Sequence, residues 1–247
     1  MDEKNELIRL DSLLVKLGYA QSRQRAKNLI ESGGVLIDGN VVTKISAKYP
    51  LGVNLEMISK DINWVSRAGL KLEKALEVWS IDVDNLVCLD IGSSTGGFTE
   101  VLLHNGAKKV YALDVGHNQL AESLLDDIRV VSIEGQNIRE TSKELFSEPI
   151  DFITVDVSFI SLEHILPKIN ELLKKSGEAV VLIKPQFEVG KDLIQKGFVY
   201  DSDLHNEVIN KIKTLSIKEN LIPLEVIESS IKGLEGNKEY LIHLKKK

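Results

Sequence analysis

The chain has a single cysteine among its 247 residues, Cys88. One cysteine excludes an intramolecular disulfide and a thiolate zinc cluster. Its place in the apolar run Leu86-Val87-Cys88-Leu89 marks it as a buried strand residue. The five histidines, at 104, 117, 164, 205 and 243, show no tight metal-ligand spacing, so no metal site is expected. No run approaches the roughly 18 consecutive apolar residues of a membrane-spanning helix. The polar, acidic start Met1-Asp2-Glu3-Lys4-Asn5-Glu6 is followed by no apolar signal core. Neither membrane insertion nor export is expected, and the cytoplasm is the expected compartment. Internal repeats are absent, as are low-complexity tracts beyond the Lys245-Lys246-Lys247 tail. With 43% hydrophobic and 28% charged residues, the composition is that of a globular chain, long enough for one sizeable core and a small appended module.

The net charge of −6 argues against a protein that coats nucleic acid non-specifically. The charge is unevenly spread, however. Residues 8–50 carry seven basic side chains (Arg9, Lys16, Arg23, Arg25, Lys27, Lys44, Lys48) against three acidic ones (Asp11, Glu31, Asp38). A basic module on an acidic body points to a local polyanion contact, with a chance fluctuation in surface charge as the alternative. Within this module Leu10, Leu13, Leu14 and Leu17 fall at i, i+3, i+4, i+7, which predicts a helix ended by Gly18. Ser22 suits the N-cap of a second helix through Glu31, with Ala26, Leu29 and Ile30 on its apolar face and Gly33-Gly34 as its stop. Val35-Leu36-Ile37, Asp38-Gly39-Asn40 and Val41-Val42 read as strand, tight turn and strand.

Arg23 and Arg25 occupy the first turn of the second helix, with Lys27 behind them, and cations there oppose the helix dipole. Phosphates opposite them would explain the placement. Arg9-Leu10-Asp11, Ser22-Arg23-x-x-Ala26, Ile30-x-x-Gly33-x-Val35 and the Asp38-Gly39 turn resemble an S4 RNA-binding domain. The resemblance implies RNA contacts for Arg9, Arg23, Arg25 and Lys27; a small helical adaptor without RNA is the alternative. This domain is expected to span residues 1–58. Residues 59–67 have no clear period and read as a linker, in which Trp64 stacks on a base, docks the two domains or simply packs. Arg67 joins the candidate RNA contacts.

From residue 68 to 247 helix and strand patterns alternate. Apolar runs at 86–91, 109–114, 129–133, 150–156, 179–184, 224–231 and 239–244 are separated by amphipathic segments at 97–105, 118–126, 139–146, 161–174 and 203–219, except that only a short turn parts the last two. This alternation predicts an α/β domain with a mostly parallel sheet covered on both faces and an antiparallel terminal pair. Seven strands with a terminal hairpin resemble the class I methyltransferase fold, which implies a central order 3-2-1-4-5.

In open α/β sheets ligands bind outside the carboxyl ends of the strands. The first apolar run ends Asp90-Ile91-Gly92-Ser93-Ser94-Thr95-Gly96-Gly97-Phe98, where glycines and small residues let backbone approach a ligand before a helix starts near Gly97. The spacing D-x-G-x-x-x-G-G differs from the pyrophosphate-binding G-x-G-x-x-G, and no G-K-[ST] ending makes a P-loop. An acidic residue ahead of the glycines suits a cationic ligand, an ammonium or a sulfonium; a purely structural turn is the alternative. The loop resembles the S-adenosylmethionine loop of class I methyltransferases, with Ser94 in place of the middle glycine. Asp114, 22 residues beyond Gly92, ends the second run and reads as a ribose acceptor or as a helix N-cap. The fold analogy adds Asn137 at the adenine edge and Asp156 at the end of the fourth run.

Lys184 follows a largely apolar run and must snorkel to water or find an acidic partner, which Asp156 on the adjoining strand supplies. Lys71 falls at the edge of the apolar face Ala68, Leu72, Ala75, Leu76 and Trp79, whereas Lys74 points away. Glu239 begins the last strand. In order and context Lys71, Asp156, Lys184 and Glu239 resemble the Lys-Asp-Lys-Glu tetrad of FtsJ-like RNA 2′-O-methyltransferases. The strings Ser66-Arg67-Ala68-Gly69-Leu70-Lys71-Leu72, Asp156-Val157-Ser158-Phe159-Ile160-Ser161, Lys184-Pro185-Gln186-Phe187-Glu188 and Gly236-Asn237-Lys238-Glu239-Tyr240 are similar to the TlyA family, also called hemolysin A. The resemblance covers nearly the whole chain. It implies S-adenosylmethionine as cofactor and ribosomal RNA in ribosomal subunits as substrate, with Lys184 as proton acceptor, Asp156 orienting Lys184, and Glu239 orienting Lys71 or the incoming hydroxyl. Two rivals remain at this point: a cytolysin, after the family's other name, and a non-catalytic RNA-binding ribosome factor.

Overall fold

The computed structural model describes residues 7–20, 22–31, 33–57, 64–194, 197–233 and 236–247. The chain forms two compact units, Met1–Arg67 and Ala68–Lys247. Residues 59–63 of the expected linker lie outside the described residues. Trp64 is buried and Arg67 half-buried.

The first unit runs β1 (Leu7–Arg9), α1 (Leu10–Lys16), α2 (Arg23–Glu31), β2 (Val35–Ile37), β3 (Asn40–Val41), β4 (Lys48–Pro50) and β5 (Leu55–Met57). Leu10, Leu13 and Leu14 of α1 share one core with Ala26, Leu29 and Ile30 of α2. Leu17, expected on the same stripe, is instead the exposed C-cap residue, because the chain turns away at Gly18 with φ +78°. Ser22 caps α2 as expected, its Oγ accepting the Arg25 N–H at 3.2 Å. Asp38 and Gly39, at φ +50° and +77°, make the tight turn between β2 and β3 with the paired positive φ that a two-residue hairpin needs. The sequence pattern predicts neither the β1–β4 pair nor β5, which adds to β2. These strands are three residues long, too short to show alternation.

The second unit runs α3 (Gly69–Trp79), β6 (Val87–Ile91), α4 (Gly97–His104), β7 (Lys109–Leu113), α5 (Glu122–Leu125), β8 (Val130–Ile133), β9 (Ile150–Val155), α6 (Leu166–Leu172), β10 (Leu173–Ile183), α7 (Ser202–Lys218), β11 (Leu221–Glu228) and β12 (Tyr240–Lys246). Its sheet has the order β11-β12-β10-β9-β6-β7-β8. The first five strands in sequence are parallel to their neighbours, and β12 is antiparallel to both β10 and β11. Every residue of β6 is buried, as a central parallel strand covered on both faces requires. Three segments depart from expectation. Residues 118–126 give only the single turn of α5, 139–146 give two 3₁₀ turns, and 161–174 break into a 3₁₀ turn and α6. Strand β10 starts at Leu173 with the polar stretch Lys174-Lys175-Ser176, which carries no apolar signal. Among the described residues no helix is long and apolar enough to cross a membrane.

Parallel pairing brings the carboxyl ends of β8, β7, β6, β9 and β10 to one edge of the sheet. The residues just past these ends are Glu134, Asp114, Gly92, Asp156 and Lys184.

Candidate active site

Four charged side chains meet at that edge. Lys71, in the first turn of α3, donates to Glu239 Oε2 at 2.7 Å and lies 3.5 Å from Asp156 Oδ2. Lys184 lies 2.7 Å from Asp156 Oδ1 and donates to Ser158 Oγ at 2.8 Å. The result is a chain Glu239–Lys71–Asp156–Lys184 of alternating sign, electrically neutral as a whole. None of the four side chains is more than 16% exposed. At that depth a lone lysine would be costly, and pairing compensates each charge. Burial pushes the Asp156 carboxyl up, but Lys71 and Lys184 outweigh it and hold the group below the usual carboxylate range. Lys74, as expected, points outward and pairs with Glu77.

An ammonium has three N–H directions. Asp156 and Ser158 take two of those on Lys184. In the sequence Ser158 is marked only by its place two residues after Asp156, within the string that resembles the TlyA family. The Phe187 ring lies 6.0 Å from Lys184 Nζ and contacts Phe159 at 5.0 Å between centroids. Phe159 is 90% exposed and holds φ +64°, a conformation that a bulky residue keeps only where its surroundings impose it.

The glycine loop is built around Asp156 and Asp114. Gly92, at φ +81°, touches the end of β9: a Cβ there would run into the Asp156 carbonyl oxygen and sit 3.2 Å from Val157 Cγ1. Gly96 caps α4 at φ +99°, against Leu124. Asp114 accepts the Ser94 N–H at 2.8 Å and the Gly116 N–H at 2.7 Å, so it ties the loop to the tip of β7. It is no N-cap, since the next helix starts at Glu122. Glu134 fixes the segment after it by accepting the Asn118 and Gln119 N–H groups at 2.7 and 3.2 Å, and these bonds hold its carboxyl below its usual range.

Of the expected cofactor contacts, Ser94 and Thr95 are exposed, Gly92, Asp114 and Asn137 are half-buried, and Ser93, Gly96 and Gly97 are buried. Asn137 Oδ1 is engaged by the Arg139 N–H at 3.1 Å. Two of the expected contacts have enclosed side chains. Asp90 is fully enclosed, its oxygens accepting from Thr99 Oγ1 at 2.7 Å and Thr154 Oγ1 at 2.8 Å. Burial raises its pKa to about 6, and its two threonine bonds pin β6 to α4 and β9. The Phe98 side chain is likewise buried.

In the first unit, the basic turn has an internal partner. Asp11 is fully buried and accepts from Arg23 Nη2 at 2.7 Å and Arg9 Nε at 3.1 Å. Burial pushes its carboxyl up, yet the two guanidinium groups prevail and hold it at about 2. Arg23 therefore needs no phosphate to account for its place on α2. Arg25 and Lys27 are half-buried.

Comparison with known proteins follows the same division. The S4 domain family model matches residues 8–54, and the FtsJ-like methyltransferase family model matches residues 64–246. Hemolysin A of Brachyspira hyodysenteriae is 45% identical over 96% of this chain and 99% of its own length. The 16S/23S rRNA (cytidine-2′-O)-methyltransferase TlyA of Mycobacterium tuberculosis is 40% identical over 96% of this chain and 89% of its own. Among solved structures, a hemolysin-named protein of Streptococcus thermophilus superposes with a TM-score of 0.78 at 40% identity, over 97% of this chain and 88% of that one.

Proposed function

The chain belongs to the FtsJ-like methyltransferase family and carries an S4 domain ahead of the methyltransferase domain, and from that premise we propose that it methylates a ribose 2′-hydroxyl of ribosomal RNA, acting in the cytoplasm on ribosomal subunits with S-adenosylmethionine as donor. The observation that carries this reading is the buried Glu239–Lys71–Asp156–Lys184 chain at the carboxyl edge of the parallel strands. A cytolysin needs no such arrangement, and neither does a factor that only binds RNA.

The strand ends fit the donor. Asp114 uses two of its roughly four lone-pair sites on backbone N–H groups, which leaves capacity for ribose hydroxyls. The loop from Gly92 to Gly97, with Ser94 and Thr95 exposed, lies beside it. When bound there, S-adenosylmethionine supplies an electrophilic methyl. The chain's own residues do the rest. Lys184, as the neutral amine left once its own extra proton has passed to solvent, directs its lone pair at the 2′-hydroxyl and takes that proton as the oxygen attacks. Asp156 fixes Lys184, and Glu239 fixes Lys71. Alignment of the reacting atoms supplies the remaining acceleration.

The position of the methyl tests the reading. Alkaline cleavage of RNA requires a free 2′-hydroxyl, so ribosomal subunits treated with enzyme and methyl-labelled cofactor should yield a labelled, alkali-resistant linkage. Label that stays with the free base after glycosidic cleavage would overturn it.

Arg9, Arg25, Lys27 and Arg67 complete the proposed RNA surface, with Arg23 contributing through its outward face. Lys27→Ala should lower the salt slope of RNA binding by about one unit per lost phosphate contact and leave the melting temperature unchanged. Arg23→Ala should in addition destabilise the S4 unit by about 1 kcal/mol, because Asp11 loses a charged partner that is itself partly solvated. Salt titrations beside thermal melts separate the two effects. Equal slopes for wild type and Lys27→Ala would remove Lys27 from the surface.

A further inference from the structure

Gly233 and Gly236 stand just ahead of Glu239 in the chain, and they are glycines for different reasons. Gly236 adopts φ +93°, which favours glycine. Gly233 is not among the positive-φ residues. What it lacks is room: a Cβ at 233 would collide with Glu239 Oε1 and lie 3.1 Å from its Cδ. We infer that Gly233 is a positioning residue, whose missing side chain sets the Glu239 carboxylate against Lys71. The inference rests on the proposed role of the Lys71–Asp156–Lys184–Glu239 chain and extends it to a residue that touches no substrate.

The turn leaves Glu239 little freedom of its own. The Gly233 N–H donates to the Asn237 carbonyl at 2.9 Å, and the Gly236 N–H donates to the Gly233 carbonyl at 2.9 Å. The Ser229 N–H donates to the Glu239 carbonyl at 2.9 Å. The Asn237 side chain, 4% exposed, donates to the Gly197 carbonyl at 2.9 Å and anchors the turn to a neighbouring segment. With the backbone fixed on both sides, the carboxylate lies between the Gly233 backbone and Lys71 Nζ. The atom that a methyl at 233 would meet is the far end of a side chain, so the fold can absorb an alanine by swinging that end away. Swinging it breaks the 2.7 Å bond to Lys71. Lys71 then has only Asp156, now at 3.5 Å, and competes with Lys184 for it. The damage passes along the chain of charges to the residue that meets the hydroxyl.

The test is a double-mutant cycle in the full-length protein. Gly233→Ala should lower kcat by about 10- to 100-fold, the effect of losing a charged hydrogen bond, with the RNA KM and cofactor affinity unchanged. In a Glu239→Ala background the same change should cost nothing further. Glu239→Asp, which draws the carboxylate back by one methylene, should restore part of the turnover of Gly233→Ala. An NMR readout of the lysine ammonium protons, independent of activity, should show the Lys71 signal lost in Gly233→Ala as it is in Glu239→Gln. A wild-type kcat in Gly233→Ala, an equal loss in both backgrounds, or a variant that fails to fold would overturn the inference. If wild-type protein places no label on ribose while the ammonium signal still follows residue 233, the proposed function fails and the positioning role stands.

Discussion

Lys184→Ala should lower turnover by about 10²- to 10⁴-fold, the usual contribution of a positioned proton acceptor, while leaving the affinity for S-adenosylmethionine within about twofold, since the lost interaction acts chiefly in the transition state. Lys184→Arg should be nearly as damaging. A guanidinium keeps the positive charge beside Asp156 but does not give up its proton in a protein, so it cannot offer the lone pair of a neutral amine, and its planar fork does not reproduce the tetrahedral placement of the contacts to Asp156 and Ser158. Single-turnover rates with labelled cofactor, set beside calorimetric binding, measure the two quantities separately. An arginine variant with near wild-type turnover would show that the site needs only a cation there. The proton would then pass to water or to Asp156.

The residues that make this chain of charges are legible in the sequence because chemistry constrains where they stand. A lysine after the apolar run that ends at Ile183, or an aspartate after Val155, is conspicuous, and parallel strands bring such positions to one edge whatever the loops do. What the sequence hides is the partner across space. Asp90 ahead of a glycine loop looks the same whether it faces a ligand or turns inward. Thr99 and Thr154, nine and 64 residues away, decide the matter. Arg23 reads as a stray cation until folding brings Asp11, 12 residues earlier, against it. The amphipathic pattern at 118–126 predicts a full helix, but Glu134 takes up the Asn118 and Gln119 N–H groups and Asn118 turns to φ +55°, so helix begins only at Glu122. Nor does any local pattern mark Gly233, whose requirement is an empty volume filled by a carboxylate six residues on.

Asp156 should be the most consequential single position for folding and function together. It lies between two ammonium groups, 2.7 Å from Lys184 and 3.5 Å from Lys71. Asp156→Asn keeps the shape and removes the charge, leaving two like charges at close range with Glu239 alone to balance them. Breaking a buried pair in this way costs about 3–5 kcal/mol, and turnover should fall below detection, because Lys184 loses the group that orients it. The pH dependence gives the sign. The carboxyl of Asp156 is held below its unfolded value, so its contribution to stability is fully present above the ordinary carboxylate range and is lost as pH falls through the folded value. Urea melts of wild type and Asp156→Asn should therefore differ by a constant amount near neutrality and converge on acidification. Asp90 provides the opposite case in the same domain. Its pKa is raised to about 6, so stability it contributes at low pH is lost as pH rises from about 4, the unfolded value, towards 6. An Asp90→Asn protein should gain on wild type over that window, while Asp156→Asn shows no such gain there. Unchanged stability of Asp156→Asn at neutral pH would mean that the two lysines do not depend on this carboxylate, and the orientation of Lys184 would have to come from Ser158 alone.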